Sequence, residues 1–105
     1  ANLRDIGFHF PDTSAEYKGI DSKILLRDVV KLLDDKGYSI GNIDSTVALE
    51  KPKVNSHIEE MRAILAGIMK VDEDMVSIKA TTSEKIGFVG RQEGIAAYAT
   101  VLIQK

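Results

Sequence analysis

Cysteine is absent from the 105 residues of the chain, which excludes disulfides and thiolate metal sites and leaves the redox compartment undetermined. Histidine is scarce: His9 and His57 stand far apart, and neither falls in an HxH or HExxH pattern. A zinc site built from that pair alone is not expected, and His57, near a helix start, reads as solvated. An excess of charge of one sign is also missing. The net charge is −2 and the pI about 5.6, without the basic footprint of a nucleic-acid binder. No apolar run approaches the roughly 20 residues of a transmembrane helix. The opening stretch ANLRDIGFHF has neither a basic start nor an apolar h-region, so no signal peptide is read there and the cytoplasm is the expected compartment. The chain opens on Ala1 rather than methionine, consistent with a fragment of a longer protein.

What is present is ordinary for a soluble globular protein: 44% hydrophobic and 29% charged residues. The length suggests a single domain over 1–105, with one modest core. Residues 1–20 are loop-like, with Gly7, Pro11 and Gly19 as breakers. Asp21 is placed to cap a helix running to about Lys36, with Leu25, Val29, Leu32 and Leu33 as its apolar stripe. Lys36 followed by Gly37 supplies the stop. Tyr38–Leu49 alternates as a strand, and Ser56 with Glu59 matches a capping box opening a second helix to about Met69. That helix's core stripe would be Ile58, Met61, Leu65, Ile68 and Met69. Val76–Thr81 and Ile95–Gln104 read as two more strands.

Helix, strand, helix, strand, strand implies an α/β (α+β) two-layer sandwich, with helices on one face of a mixed sheet. The last strand, IAAYATVLIQ, is apolar or small at nearly every position. A sheet covered on one side only should show polar residues on the other. Its second face is therefore expected to be covered too, in so small a chain by another subunit.

Two stretches bear on chemistry. GFVGRQEG has glycines, but neither the G-x-G-x-x-G spacing nor a P-loop Lys-Ser/Thr, and reads as a turn between strands. Arg91 within it could bind an anion or pair with Glu93. In DIGFHFPDT, Asp5 and Asp12 bracket Phe10-Pro11, although an Asp before a hydroxyl residue often just caps a turn. Lys53 follows Pro52 in a loop, where a solvated lysine is the default. KATTSEK sets Thr81, Thr82 and Ser83 beside Glu84. Hydroxyls and strand-end amides donate to phosphate without adding charge, whereas a glutamate can face phosphate only through a divalent cation with oxygen ligands. The spacing reads as a metal-bridged diphosphate site, with a polar strand end as the plain alternative.

DIGFHFPDT, GYSIGNIDSTV, KPKVNSHIEEMR and IKATTSEKIGFVGRQEGIAAYA follow one another in order. Together they closely resemble the 2-C-methyl-D-erythritol 2,4-cyclodiphosphate synthase family of non-mevalonate isoprenoid biosynthesis, over essentially the whole chain. The resemblance implies that a cytidine diphosphate substrate bearing a 2-phosphate cyclises and CMP leaves, by phosphoryl transfer assisted by two divalent ions, Zn²⁺ and Mg²⁺ or Mn²⁺. It implies that Asp5, Gly7, Phe10 and Asp12 form the wall around the methylerythritol part. Lys53, with the backbone around Leu49, Val54 and Asn55, would form the cytidine pocket. Ala80, Thr81 and Thr82 would hold the nucleotide and its phosphates, with Thr82 stabilising the transition state and Glu84 binding the second ion. Phe88 and Arg91 would lie at the threefold axis of a homotrimer, in a channel able to hold an isoprenoid diphosphate. No nucleic acid or membrane partner is implied, and in a plant the location would be the plastid.

The chain departs from the family pattern at Arg4, where glycine is usual before Asp-Ile-Gly, and at Ser14, where aspartate usually follows FPDT. The family's zinc ligands, an Asp-x-His and a later His, and its histidine-serine loop all precede the DIG motif. The expectation is therefore that this chain lacks the N-terminal third of the family domain and contributes no zinc ligand. The alternative reading is a non-catalytic trimeric module that binds a nucleotide or an isoprenoid.

Overall fold

In the computed structural model, residues 1–11, 13–16 and 19–105 are described. The main elements are helix α2 (Ser22–Asp35), strand β1 (Ser39–Ala48), helix α3 (Ile58–Met69) and strands β2 (Val76–Thr81) and β3 (Ala96–Gln104). Two single helical turns join them: α1 (Ile6–His9) and α4 (Gly87–Gly90). The sheet order is β2-β1-β3, with β1 parallel to β2 and antiparallel to β3. The mixed sheet with helices on one face is thus as expected.

Local signals account for the ends of α2. The Asp21 carboxylate accepts from Lys23 N at 2.8 Å, and that bond holds its carboxyl below the ordinary value. At the other end Gly37 takes φ +87°. Its amide bonds Asp34 O, while Tyr38 N reaches Leu33 O, both at 2.9 Å, closing a Schellman motif.

The core joins Val30 of α2, Ile43 of β1, Ala66 and Met69 of α3, and Val76 and Ile78 of β2, with Leu26, Ile40, Ile58, Met61 and Leu65 packed around it. The stripe expected for α2 needs correcting. Leu25, Val29, Leu32 and Leu33 are only half-buried, and Val30 is the buried residue. The helix's apolar arc is wider than that stripe, and its Leu26–Val30 edge meets the core.

Three further local expectations are corrected. The Ser56–Glu59 capping box does not form, because Ser56 lies inside a 3₁₀ turn (Asn55–His57) and His57 occupies the cap position of α3 without a side-chain bond. Glu59 pairs instead with Arg62 at 3.0 Å. Residues 6–9 are not loop but a helical turn, closed by Phe10 N to Ile6 O at 2.9 Å. GFVGRQEG is not a plain turn, since Gly87–Gly90 coils once before the chain enters β3.

On the face of β1 and β2 away from the helices, Asp44, Ser77 and Lys79 are exposed, and Lys79 Nζ pairs with the Asp44 carboxylate. Edge strand β3 is apolar and open on both faces: Tyr98 is 68% and Leu102 60% exposed on one, Val101 44% on the other.

Candidate functional site

Parallel strands β1 and β2 end side by side, with Ala48 opposite Thr81. Leu49 N donates to Thr81 O at 2.9 Å, carrying the ladder one residue past the strand. At the carboxyl ends of these two strands a cleft opens, the place where open α/β sheets bind ligands. Its cavity volume is about 100 Å³, and it is lined by Leu49, Glu50 and Pro52–Asn55 on one side and Ala80–Thr82 on the other. Leu49, Pro52 and Val54 provide apolar surface, while the Lys53 ammonium, the Asn55 amide and two hydroxyls provide polar contacts.

The turn after β2 begins where the cleft lining ends, at Thr82. Glu84 and Lys85 adopt φ +54° and +64° in succession, a left-handed conformation that non-glycine residues rarely hold without support. The support comes from across the cleft: Glu50 Oε1 accepts from Ser83 N and from Lys85 N, each at 3.1 Å. Ser83 Oγ closes the turn by donating to Ile86 O at 2.7 Å. Within it, Thr82 Oγ1 lies 3.4 Å from both Glu84 Oε1 and Glu84 N, long contacts that leave the hydroxyl free to turn toward a ligand. Thr81 Oγ1 donates to Thr82 O at 3.1 Å.

Leu49, Lys53, Val54, Asn55, Ala80, Thr81 and Thr82, expected from the sequence to share a site, do line one cleft, with Glu84 two residues beyond. Asp5, Gly7 and Phe10 lie elsewhere, on and beside α1. Phe10 borders a separate hollow with His9 and the Asp28, Lys31, Leu32 and Asp35 face of α2. His9 Nε2 donates to Leu3 O, a role that the carbonyl, as an acceptor, imposes on the ring. Arg4 lies over the Phe8 ring at 3.9 Å. Asp12 falls outside the described residues. Phe88 is half-exposed on α4, and Arg91 Nε donates to Glu93 Oε1 at 2.6 Å in an exposed pair. Glu50 is the residue that sequence reasoning missed. Its one signal was a carboxylate immediately after β1, at the mouth of the Pro52 loop.

Among the described residues, no three His, Cys, Asp or Glu side chains converge to cage a metal. Zinc sites draw at least three ligands from protein, a set these residues do not supply, so no step is assigned to zinc in this chain. Mg²⁺ and Mn²⁺ sites at phosphates need as little as one carboxylate, the other ligands being phosphate oxygens and water. Exposed Glu84, in contact with the Thr82 hydroxyl at the cleft, fits that role.

Comparison with known proteins bears on this arrangement. The sequence profile of the YgbB family matches residues 1–104. The 2-C-methyl-D-erythritol 2,4-cyclodiphosphate synthase of Parabacteroides distasonis is 68% identical over the whole chain, which spans 65% of that relative. This chain thus covers a little under two-thirds of it. Among solved structures, bifunctional IspDF from Campylobacter jejuni superposes with a TM-score of 0.91 at 36% identity, covering 96% of this chain and 27% of that one. IspF from Plasmodium falciparum in complex with CDP superposes with a TM-score of 0.81 at 31% identity, covering 95% of this chain and 59% of that one.

Proposed function

The chain belongs to the YgbB family, and we propose that it is the part of a 2-C-methyl-D-erythritol 2,4-cyclodiphosphate synthase that holds the cytidine nucleotide. The whole protein would cyclise 4-diphosphocytidyl-2-C-methyl-D-erythritol 2-phosphate to 2-C-methyl-D-erythritol 2,4-cyclodiphosphate. In that reaction an oxygen of the 2-phosphate forms a bond to the β-phosphorus, the bond from that phosphorus to the CMP oxygen breaks, and CMP leaves. The observation that carries this reading is the convergence of Lys53, Thr81 and Thr82 on one cleft with Glu84 in contact with Thr82.

The division of labour proposed for the cleft is the one that the family resemblance implies. Leu49, Val54 and Asn55 receive the base and its sugar, and Lys53 brings a positive charge to the same loop. The Thr81 and Thr82 hydroxyls donate to the diphosphate without adding charge, and Thr82, on the Glu84 side, meets the charge that develops on the phosphoryl oxygens. Glu84 would hold Mg²⁺ or Mn²⁺, whose chemistry when bound is to neutralise charge on the diphosphate. Asp5, Gly7, Phe10 and Asp12 would form the wall for the methylerythritol part.

The assembly is proposed as a homotrimer, supported by the open apolar faces of β3 and by exposed Phe88. At its axis an isoprenoid diphosphate would have to compete with Glu93 for Arg91. The remainder of the catalytic domain, zinc ligands included, would come from the third of the relatives' length that this chain does not span.

The test is CMP release from substrate by the natural protein that carries this chain, with divalent ions present. Release is expected. Binding of CDP without release would overturn the enzyme reading in favour of a nucleotide-binding module.

A further inference from the structure

We propose that Glu50 is a positioning residue, which sets Thr82 and Glu84 against the nucleotide by filling, with its own carboxylate, an anion nest in the turn after β2. The inference rests on the function proposed above and adds a residue to it. Backbone N–H groups that converge in a turn make a concavity that attracts anions. Here the Ser83 and Lys85 amides flank Glu84, and both donate to the same oxygen of Glu50. Glu50 also adjoins Leu49 and lies just before the Pro52–Asn55 segment, so one carboxylate ties the nucleotide loop to the turn that bears Glu84. Two consequences follow. The turn keeps its left-handed conformation at Glu84 and Lys85. Its two amides are also withheld from the substrate's phosphates, which leaves the Thr82 hydroxyl, and the cation that Glu84 would hold, to meet them.

The experiment compares Glu50→Ala and Glu50→Gln in the full-length protein, the latter keeping an acceptor oxygen. In Glu50→Ala the Ser83 and Lys85 amides should exchange with solvent about tenfold faster, the scale of a lost bond to a charged acceptor, while the Val76 amide keeps its rate. Titration of Mn²⁺ in the presence of CDP should show affinity lowered by about tenfold, and kcat should fall on the same scale. CDP affinity without metal should fall by less than Mn²⁺ affinity does, since Glu50 also lines the cleft. Glu50→Gln, whose neutral oxygen makes weaker bonds, should recover part of the exchange protection, Mn²⁺ affinity and kcat. Unchanged exchange and Mn²⁺ affinity in Glu50→Ala would overturn the proposal. So would an equal loss of metal-free CDP affinity, which would mark general collapse of the cleft. If the wild-type protein released no CMP, the functional reading would fail, while amide exchange would still decide whether Glu50 holds the turn.

Discussion

Replacing Gly90 with alanine would put a methyl group into the backbone that carries the candidate metal ligand. A Cβ built on Gly90 would lie 2.1 Å from the carbonyl carbon of Lys85, 2.5 Å from its Cα and 2.7 Å from its oxygen. All three are main-chain atoms, so no side chain can swing aside, and reaching even 3.0 Å requires the segments to part by about 0.9 Å. Gly90 N is bonded to Ile86 O at 3.1 Å and Lys85 N to Glu50, so parting them strains both contacts. Overpacking of this kind costs about 1–3 kcal/mol. Urea unfolding of the full-length protein, at matched concentration, should show a loss in that range. The displaced segment adjoins Glu84, and a shift near 1 Å in a catalytic group costs about a hundredfold in rate, so kcat for CMP release should fall on that scale. Stability within about 0.5 kcal/mol of wild type, with kcat within about threefold, would refute the steric reasoning.

Arg62 stitches α3 to β2: its Nε donates to Val76 O and its Nη2 to Glu73 O, both at 2.8 Å. Arg62→Met should cost about 2–3 kcal/mol by urea unfolding, and Arg62→Lys should recover little, because an ammonium lacks the fork that reaches both carbonyls. Val76, 1% exposed at the centre of the core, should lose about 2–3 kcal/mol on replacement by alanine, read the same way. The hydrogen bond from Lys79 holds the Asp44 carboxyl below its ordinary value of 3.8. A depressed carboxylate stabilises the fold above that value and ceases to as pH falls through its folded-state value. The stability difference between wild type and Lys79→Met should therefore be present at neutral pH and vanish on acidification to about pH 2; persistence there would contradict the assignment.

The long elements were legible because their signals are local. Asp21 and the Lys36-Gly37 pair mark the ends of α2 by bonds to residues one turn away or less. In β1, Ile43 is buried and Asp44 exposed, as alternation requires. Helical turns α1 and α4 escaped because four residues are too few to show a period of 3.6. The capping box failed for a related reason: its two residues had the right spacing, but a preceding 3₁₀ turn shifted the cap by one position. In the candidate site, the cleft residues came from two strings recognisable on their own, KPKVN and KATTSEK.

What could not be read was the bond between those strings. Glu50 meets Ser83 33 residues later, and nothing in either neighbourhood requires the other. The omission matters for the chemistry. In KATTSEK, strand-end amides and hydroxyls alike offer themselves as phosphate donors, and Glu84 then looks like the misplaced charge. With Glu50 in the nest, the Ser83 and Lys85 amides are already taken by an anion. The donor left for a diphosphate is the loosely held Thr82 hydroxyl, since Thr81 already donates to Thr82 O. Two carboxylates beside a diphosphate would repel it unless their charge were offset. Main-chain N–H groups stabilise the Glu50 charge without cancelling it, and under the proposed function a cation at Glu84 would supply the neutralising charge.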